Sequence, residues 1–176
     1  SINVDLIYGL PKQTPESFDR TLAQVAELRP DRIALYGYAH LPERFKPQRR
    51  IVVVDLPGAA NKVAMLARAL AAFDAAGYDY IGMDHFARHH DSLAIARREG
   101  RLHRNFQGYT TQPEADLLGL GVSAIGRVGP THAQNAKTLD TYYAHLRDGR
   151  FATVRGLALD SEDLLRRAVI MALMCQ

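Results

Sequence analysis

The chain has 176 residues, 47% hydrophobic and 23% charged, and its 22 basic against 19 acidic side chains leave a net charge of +3. That length can bury a core and that mixture belongs to globular chains, while so small and scattered a charge excess gives no footprint for nucleic acid. The single cysteine, Cys175, excludes an internal disulfide and any thiolate metal or cluster site built from this chain alone; no apolar run reaches the roughly 18 residues of a membrane span, so no membrane association is expected and the expected compartment is the cytoplasm.

Taken in chain order, Ile2 to Leu10 reads as a buried strand that starts abruptly at Ser1. Thr14 as N-cap and Pro15 at the first helical position open a helix with an apolar stripe of Phe18, Leu22, Val25 and Leu28, closed by Pro30. Arg32 to Ala39 is a strand again, completing a βαβ unit. A second helix starts near Pro57 and Gly58, with Val63, Leu66, Leu70 and Phe73 on one face and Gly77 as its stop. Tyr78 to Met83 reads as a third strand, and Asp91 caps a short helix to Gly100. The stretch from Arg101 to Pro113 is polar and aromatic, without amphipathic period, and Gly121 to Val128 reads as a fourth strand. A helix over Ala136 to Asp148, an extended run from Phe151 to Leu159 and a final helix opening at Asp160 follow. Alternation of strands and helices predicts an α/β fold around a parallel sheet, either a barrel or an open doubly wound sheet. The uncapped ends predict a piece of a longer protein.

Several runs carry chemistry. Asp5 lies in Val4-Asp5-Leu6-Ile7, where a parallel strand buried on both faces carries apolar side chains, so its carboxylate needs either an ion pair or a ligand. Tyr36-Gly37-Tyr38-Ala39-His40 stands at a strand's C-terminal end, the edge where α/β sheets gather ligands, although alternating tyrosine also suits a half-buried strand. Asp84-His85-Phe86-Ala87-Arg88-His89-His90-Asp91 is the densest set of metal-ligand types, but it offers neither His-x-x-x-His on a helix nor a thiolate. An acid/base or substrate role for Asp84 or His85, or a solvated capping loop, are its other readings. Gly119-Leu120-Gly121-Val122-Ser123-Ala124 has the letters of a dinucleotide fingerprint without the strand-to-helix setting; its glycines predict close approach of the backbone to a planar group. Asn105 to Gln112 mixes amide, aromatic and hydroxyl groups, as a nucleoside or porphyrin-like ligand requires, or forms a plain Ω-loop.

Four of these runs, Asp5-Leu6-Ile7-Tyr8-Gly9-Leu10-Pro11, Gly82-Met83-Asp84-His85-Phe86-Ala87, Asn105-Phe106-Gln107-Gly108-Tyr109-Thr110-Thr111 and Gly121-Val122-Ser123-Ala124-Ile125, resemble in order and spacing the oxygen-independent coproporphyrinogen III oxidase family of radical S-adenosylmethionine enzymes. A haem chaperone of the same superfamily, a binding protein and not an oxidase, shares a version of the first run and differs at the second and third. The resemblance implies the C-terminal half of a partial (β/α) TIM-like barrel over residues 1–156, followed over 157–176 by the first helix of a helical C-terminal domain. It implies two S-adenosylmethionine molecules and a [4Fe-4S] cluster whose three cysteines lie outside this chain, so that no metal is held here. The implied reaction is oxidative decarboxylation of two propionates of coproporphyrinogen III to vinyls in haem biosynthesis, begun by a 5′-deoxyadenosyl radical that removes hydrogen from a propionate β-carbon. Carried over by motif, Asp5 and Ala39 contact the first S-adenosylmethionine, with Ala39 near both, and Phe106, Gln107 and Ile125 contact the second. Asp84 and His85 remain candidates for catalysis. The expectations that follow are a monomer, a substrate as the one named partner, and an isolated chain with neither cluster nor activity.

Overall fold

The computed structural model describes residues 1–112 and 115–175, so the part of the polar run that falls on Pro113 and the chain end at Gln176 lie outside the described residues. It divides into two compact units, Ser1–Arg98 and Glu99–Gln176.

In the first unit, strand β1 (Asn3–Tyr8), helix α1 (Pro15–Leu28) and strand β2 (Arg32–Gly37) form the expected parallel βαβ unit, with Asp5 opposite Ala34 and Leu6 opposite Leu35. Thr14 and Ser17 build a reciprocal capping box that satisfies the first free amide groups of α1, and Arg29 ends the helix in the left-handed region. Helix α2 (Ala59–Ala75) leads to β3 (Tyr78–Gly82), then β4 (His85–Arg88) and α3 (Ser92–Arg98). The sheet order is β1-β2-β4-β3. Here the all-parallel expectation is corrected: β4 is inserted between β2 and β3 and runs antiparallel to both. Gly82 and Met83, both at positive φ, allow a turn too tight for a helical crossover, so the chain folds straight back.

One face of this sheet packs on α1 and α2 through Phe18, Ile33, Leu35, Met65, Phe73 and Phe86, the last two rings meeting at 4.9 Å. The inward stripe of α2 is Met65, Ala69 and Phe73; Val63 and Leu70, expected inside, are exposed, as is Leu28 at the end of α1. The Tyr78 hydroxyl donates to the Pro30 carbonyl at 2.6 Å within the buried layer, and burial pushes that phenol above its ordinary pKa.

The second unit begins with a hairpin, β5 (His103–Asn105) and β6 (Gly108–Thr110), inside the run that the sequence left irregular. An antiparallel sheet of β7 (Ile125–Val128), β8 (Thr131–Asn135) and β9 (Thr153–Ala158) follows, with α4 (Leu139–Arg147) between β8 and β9 and α5 (Ser161–Cys175) last. Residues 121–124, expected as strand, form a bend with Ser123 at positive φ, and β7 starts only at Ile125. Cys175 is buried, and that burial holds its thiol above the ordinary value. Among the described residues no helix is long and apolar enough to cross a membrane.

Candidate functional site

The face of the first sheet turned away from α1 and α2 is set by strand alternation. Val4, Leu6 and Tyr8 point to the helices, so Asn3, Asp5 and Ile7 point the other way. Pairing then carries the same face across the sheet, from Asp5 to Ala34 on β2 and from Ala34 to His85 on β4. With strands about 4.8 Å apart, Asp5 and His85 stand on the order of 10 Å from each other. Asp5 is exposed and accepts from the Asn3 amide at 2.7 Å. That corrects the expectation of a carboxylate on a strand buried on both sides: among the described residues β1 pairs with β2 alone, and Asn3, Asp5 and Ile7 alternate as its exposed positions.

Asp84 and His85 occupy the β3–β4 turn and the start of β4, with Oδ1 and Nδ1 2.6 Å apart and both side chains about three-quarters buried. The Tyr36 ring meets the His85 ring edge-on at 6.4 Å. Ala39 follows β2, exposed, and its carbonyl accepts from the Gln48 amide at 3.1 Å. His89 pairs with Asp79 at 2.6 Å and Arg98 of α3 with the same carboxylate, which makes this stretch a network of paired charges. Among the described residues no three His, Cys, Asp or Glu side chains are grouped so as to hold a metal ion.

In the second unit Phe106 and Gln107 are the two tip residues of the β5–β6 hairpin, fixed by the Gln107 backbone N–H donating to Asn105 Oδ1 at 2.8 Å and by Gly108 at positive φ. Both tip side chains are exposed. Phe106 meets the His132 ring edge-on at 5.2 Å, and the two line a cavity of 480 Å³ with Ile125, Gln134 and Arg155. The structure thus brings Phe106 and Ile125, 19 positions apart in sequence, to one cavity. Gln107 follows Phe106 in the chain, exposed, and is not among the described residues that line this cavity. Gly119 serves differently from the expectation: a Cβ there would lie 2.9 Å from the Ile125 carbonyl carbon, and one on Gly126 2.7 Å from the Leu117 oxygen. The close approach is to the chain's own backbone, where Leu117 and Arg127 bridge through two hydrogen bonds.

Sequence reasoning missed His132 and the arginines around it. Arg127 lies just after the Ile125 run, while Arg104 and Arg167 are separated from it by a hairpin and a sheet. Nothing in the spacing predicts that they converge. Burial, followed by the charges of Arg167 and Arg127, lowers the pKa of His132.

No family model matches the chain. Oxygen-independent coproporphyrinogen III oxidases of Pseudomonas aeruginosa and Escherichia coli are each 55% identical to it over 175 residues, 99% of this chain and 38% of theirs. That of Thermostichus vulcanus is 49% identical over 177 aligned positions, 54% of its length. A solved Escherichia coli structure, whose title describes coproporphyrinogen III oxidase as a radical SAM enzyme, superposes with a TM-score of 0.94 at 55% identity over 98% of this chain and 40% of that one. The chain is homologous, end to end, to part of the oxygen-independent coproporphyrinogen III oxidases. The mixed α/β fold is the one these oxidases have over this segment, and the chain spans 38% of the first relatives' length. All four sequence runs that carried the resemblance lie inside the matched region, since the match covers 99% of the chain.

Proposed function

We propose that this chain is the S-adenosylmethionine-holding part of an oxygen-independent coproporphyrinogen III oxidase. The observation that carries the reading is 55% identity sustained over 175 residues, with a TM-score of 0.94 to the Escherichia coli oxidase. In this reading residues 1–156 are the second half of a partial (β/α) barrel and 157–176 open a helical C-terminal domain. The complete protein is an oxidoreductase that converts two propionates of coproporphyrinogen III to vinyls in haem biosynthesis, as a cytoplasmic monomer free of nucleic acid and membrane.

The residues present suit S-adenosylmethionine. Phe106 offers an exposed ring for a purine and Ile125 an apolar wall of the cavity that Gln134 and Arg155 also line, and the exposed side-chain amide of Gln107, next in the chain to Phe106, offers a donor and an acceptor. On the first unit's open sheet face, Asp5 provides a carboxylate for a ribose or ammonium group and Ala39 a small side chain that lets a ligand approach the backbone. When bound, S-adenosylmethionine supplies radical hydrogen abstraction, with the protein contributing position and exclusion of water. Asp84 and His85, close enough to share a proton, are the candidates for moving one near the substrate. The iron–sulfur cluster does not fit this chain: Cys175 is its one cysteine and is buried. Cluster ligands belong to the remainder of the complete protein, and anaerobic reconstitution of the isolated chain is expected to yield no stoichiometric iron or sulfide.

The haem chaperone is the rival reading, and the names of the relatives above favour the oxidase. The test is Gln107→Ala in the complete protein. Vinyl product should fall at least about tenfold, as for a lost hydrogen bond to the ligand, while the cluster spectrum stays intact. Unchanged turnover would sink the assignment of Gln107, and tight haem binding without vinyl product in the unsubstituted protein would select the chaperone.

A further inference from the structure

Between Ala39 and helix α2 the first unit carries a stretch, residues 41–56, that lies outside both the sheet and the helical layer, and none of its residues is buried. It is shaped by its own hydrogen bonds. The Gln48 side chain accepts from the Leu41 backbone N–H at 2.6 Å and donates to the Ala39 carbonyl at 3.1 Å, and Arg49 Nε donates to the Pro42 carbonyl at 3.0 Å. Two short 3-10 turns follow, Lys46–Arg50 and Val53–Asp55, and the Lys12 backbone N–H ties down the end of the stretch by donating to the Asp55 carbonyl at 2.7 Å. A loop closed in this way keeps one conformation without burying its side chains.

Two kinds of side chain are left outside. Phe45, Val52, Val53 and Val54 are exposed, Val53 by 69% and Val54 by 87%. Arg44, Lys46, Arg49 and Arg50 are exposed as well, four cations within seven positions of the chain. Glu43 is the one carboxylate among residues 41–54, and Asp55 beyond it is paired with Lys12 at 3.8 Å. Among the described residues none of the four cations is in an ion pair. Three successive valines gain when another apolar surface covers them, and a local excess of positive charge draws and orients an acidic one.

We propose that residues 41–54 dock a protein partner with an acidic face, the valines and Phe45 supplying the apolar contact and Arg44, Lys46, Arg49 and Arg50 meeting its carboxylates. Three of the four cations are arginines, whose planar fork takes a carboxylate in two parallel hydrogen bonds. Arginine beside apolar and aromatic side chains is also the composition of protein interfaces, from which lysine is depleted. A membrane surface is read by an amphipathic helix, and the longest helix in this stretch is a 3-10 segment of 5 residues. Nucleic acid would leave the valines uncovered. A second copy of the chain would bring like charges together in an isologous contact. Because the loop is already shaped, little ordering opposes the encounter.

The test uses the complete protein that carries this chain, a fluorescent peptide of repeated Glu-Asp-Leu units and its uncharged Gln-Asn-Leu counterpart. The acidic peptide should bind, and the uncharged one about tenfold or more weaker. Arg44→Glu combined with Arg50→Glu, two side chains without a hydrogen bond among the described residues, should weaken acidic-peptide binding about tenfold or more, and Val53→Ser about threefold. Hydroxyl-radical footprinting should oxidise Phe45 in the free protein and oxidise it less with the acidic peptide bound. Equal binding of the two peptides, or a charge-reversed variant within about twofold of the parent, would overturn the docking site. So would a Phe45 that resists oxidation in the free protein, because the remaining polypeptide of the complete protein then covers the segment. Reversal-sensitive binding of phosphatidylglycerol vesicles or of a single-stranded oligonucleotide, without binding of the acidic peptide, would contradict a protein partner. The footprint and the peptide comparison need no substitution and decide the matter if a variant melts early. None of these measurements depends on the reaction proposed above.

Discussion

The Tyr78 and Tyr80 phenols and the Cys175 thiol are acidic groups whose ionisation the fold resists, each first through burial. A group whose pKa rises on folding stabilises the folded state below its unfolded pKa and loses that contribution as pH rises through the folded one. Stability is therefore expected to fall on the alkaline side, from about pH 9 upward. Cys175 should react with a thiol reagent at pH 8 far more slowly in the native protein than in urea; equal rates would contradict its burial. Replacing Tyr78 by Phe removes the donor to the Pro30 carbonyl and leaves a buried acceptor unmet. A loss of about 1–3 kcal/mol in a denaturant titration is expected. At this scale the sequence was partly legible. The Asn3, Asp5, Ile7 alternation marks an open face, but Ile7, apolar and 44% exposed, disguises it as a strand buried on both sides. The Arg104–Arg127–Arg167 convergence has no local signal, since each arginine reads as a solvated charge until tertiary packing gathers them.

Elements with strong local chemistry were readable, and those decided by pairing were not. The Thr14 cap, Pro15 and the Phe18, Leu22, Val25 stripe define α1 without help from the rest of the chain. Thr14→Ala should cost about 1 kcal/mol, seen as a lowered midpoint of chemical unfolding. The β3–β4 turn and the short β5–β6 hairpin escaped because three or four residues carry too little periodicity, and their strands are fixed by neighbours. The same holds for the inward face of α2. Alanine-rich sequence leaves its orientation open, and the sheet selects Met65, Ala69 and Phe73 over Val63 and Leu70. Gly126 is an element-level constraint of another kind. Gly126→Ala would drive a methyl group into the Leu117 carbonyl and break the bridge to Arg127, so about 2 kcal/mol or more should be lost. Unchanged stability would mean that this bridge relaxes freely.

At the scale of the whole molecule, each unit has its own topology, and the proposed ligand contacts are divided between them. Asp5, Ala39, Asp84 and His85 belong to the first, and Phe106, Gln107 and Ile125 to the second. The motif runs are the source of both halves of that proposed set, while the cavity that unites Phe106 with Ile125 required the fold. The central claim is that this segment does, inside a complete enzyme, what the matching segment of the oxidases does. Its most direct test is a chimaera in which residues 1–176 replace the homologous segment of the Escherichia coli oxidase, assayed anaerobically with coproporphyrinogen III. The account predicts protoporphyrinogen IX as product, with formation abolished by Asp5→Ala or Gln107→Ala at unaltered cluster content. A folded, cluster-loaded chimaera that binds S-adenosylmethionine and forms no vinyl product would contradict it.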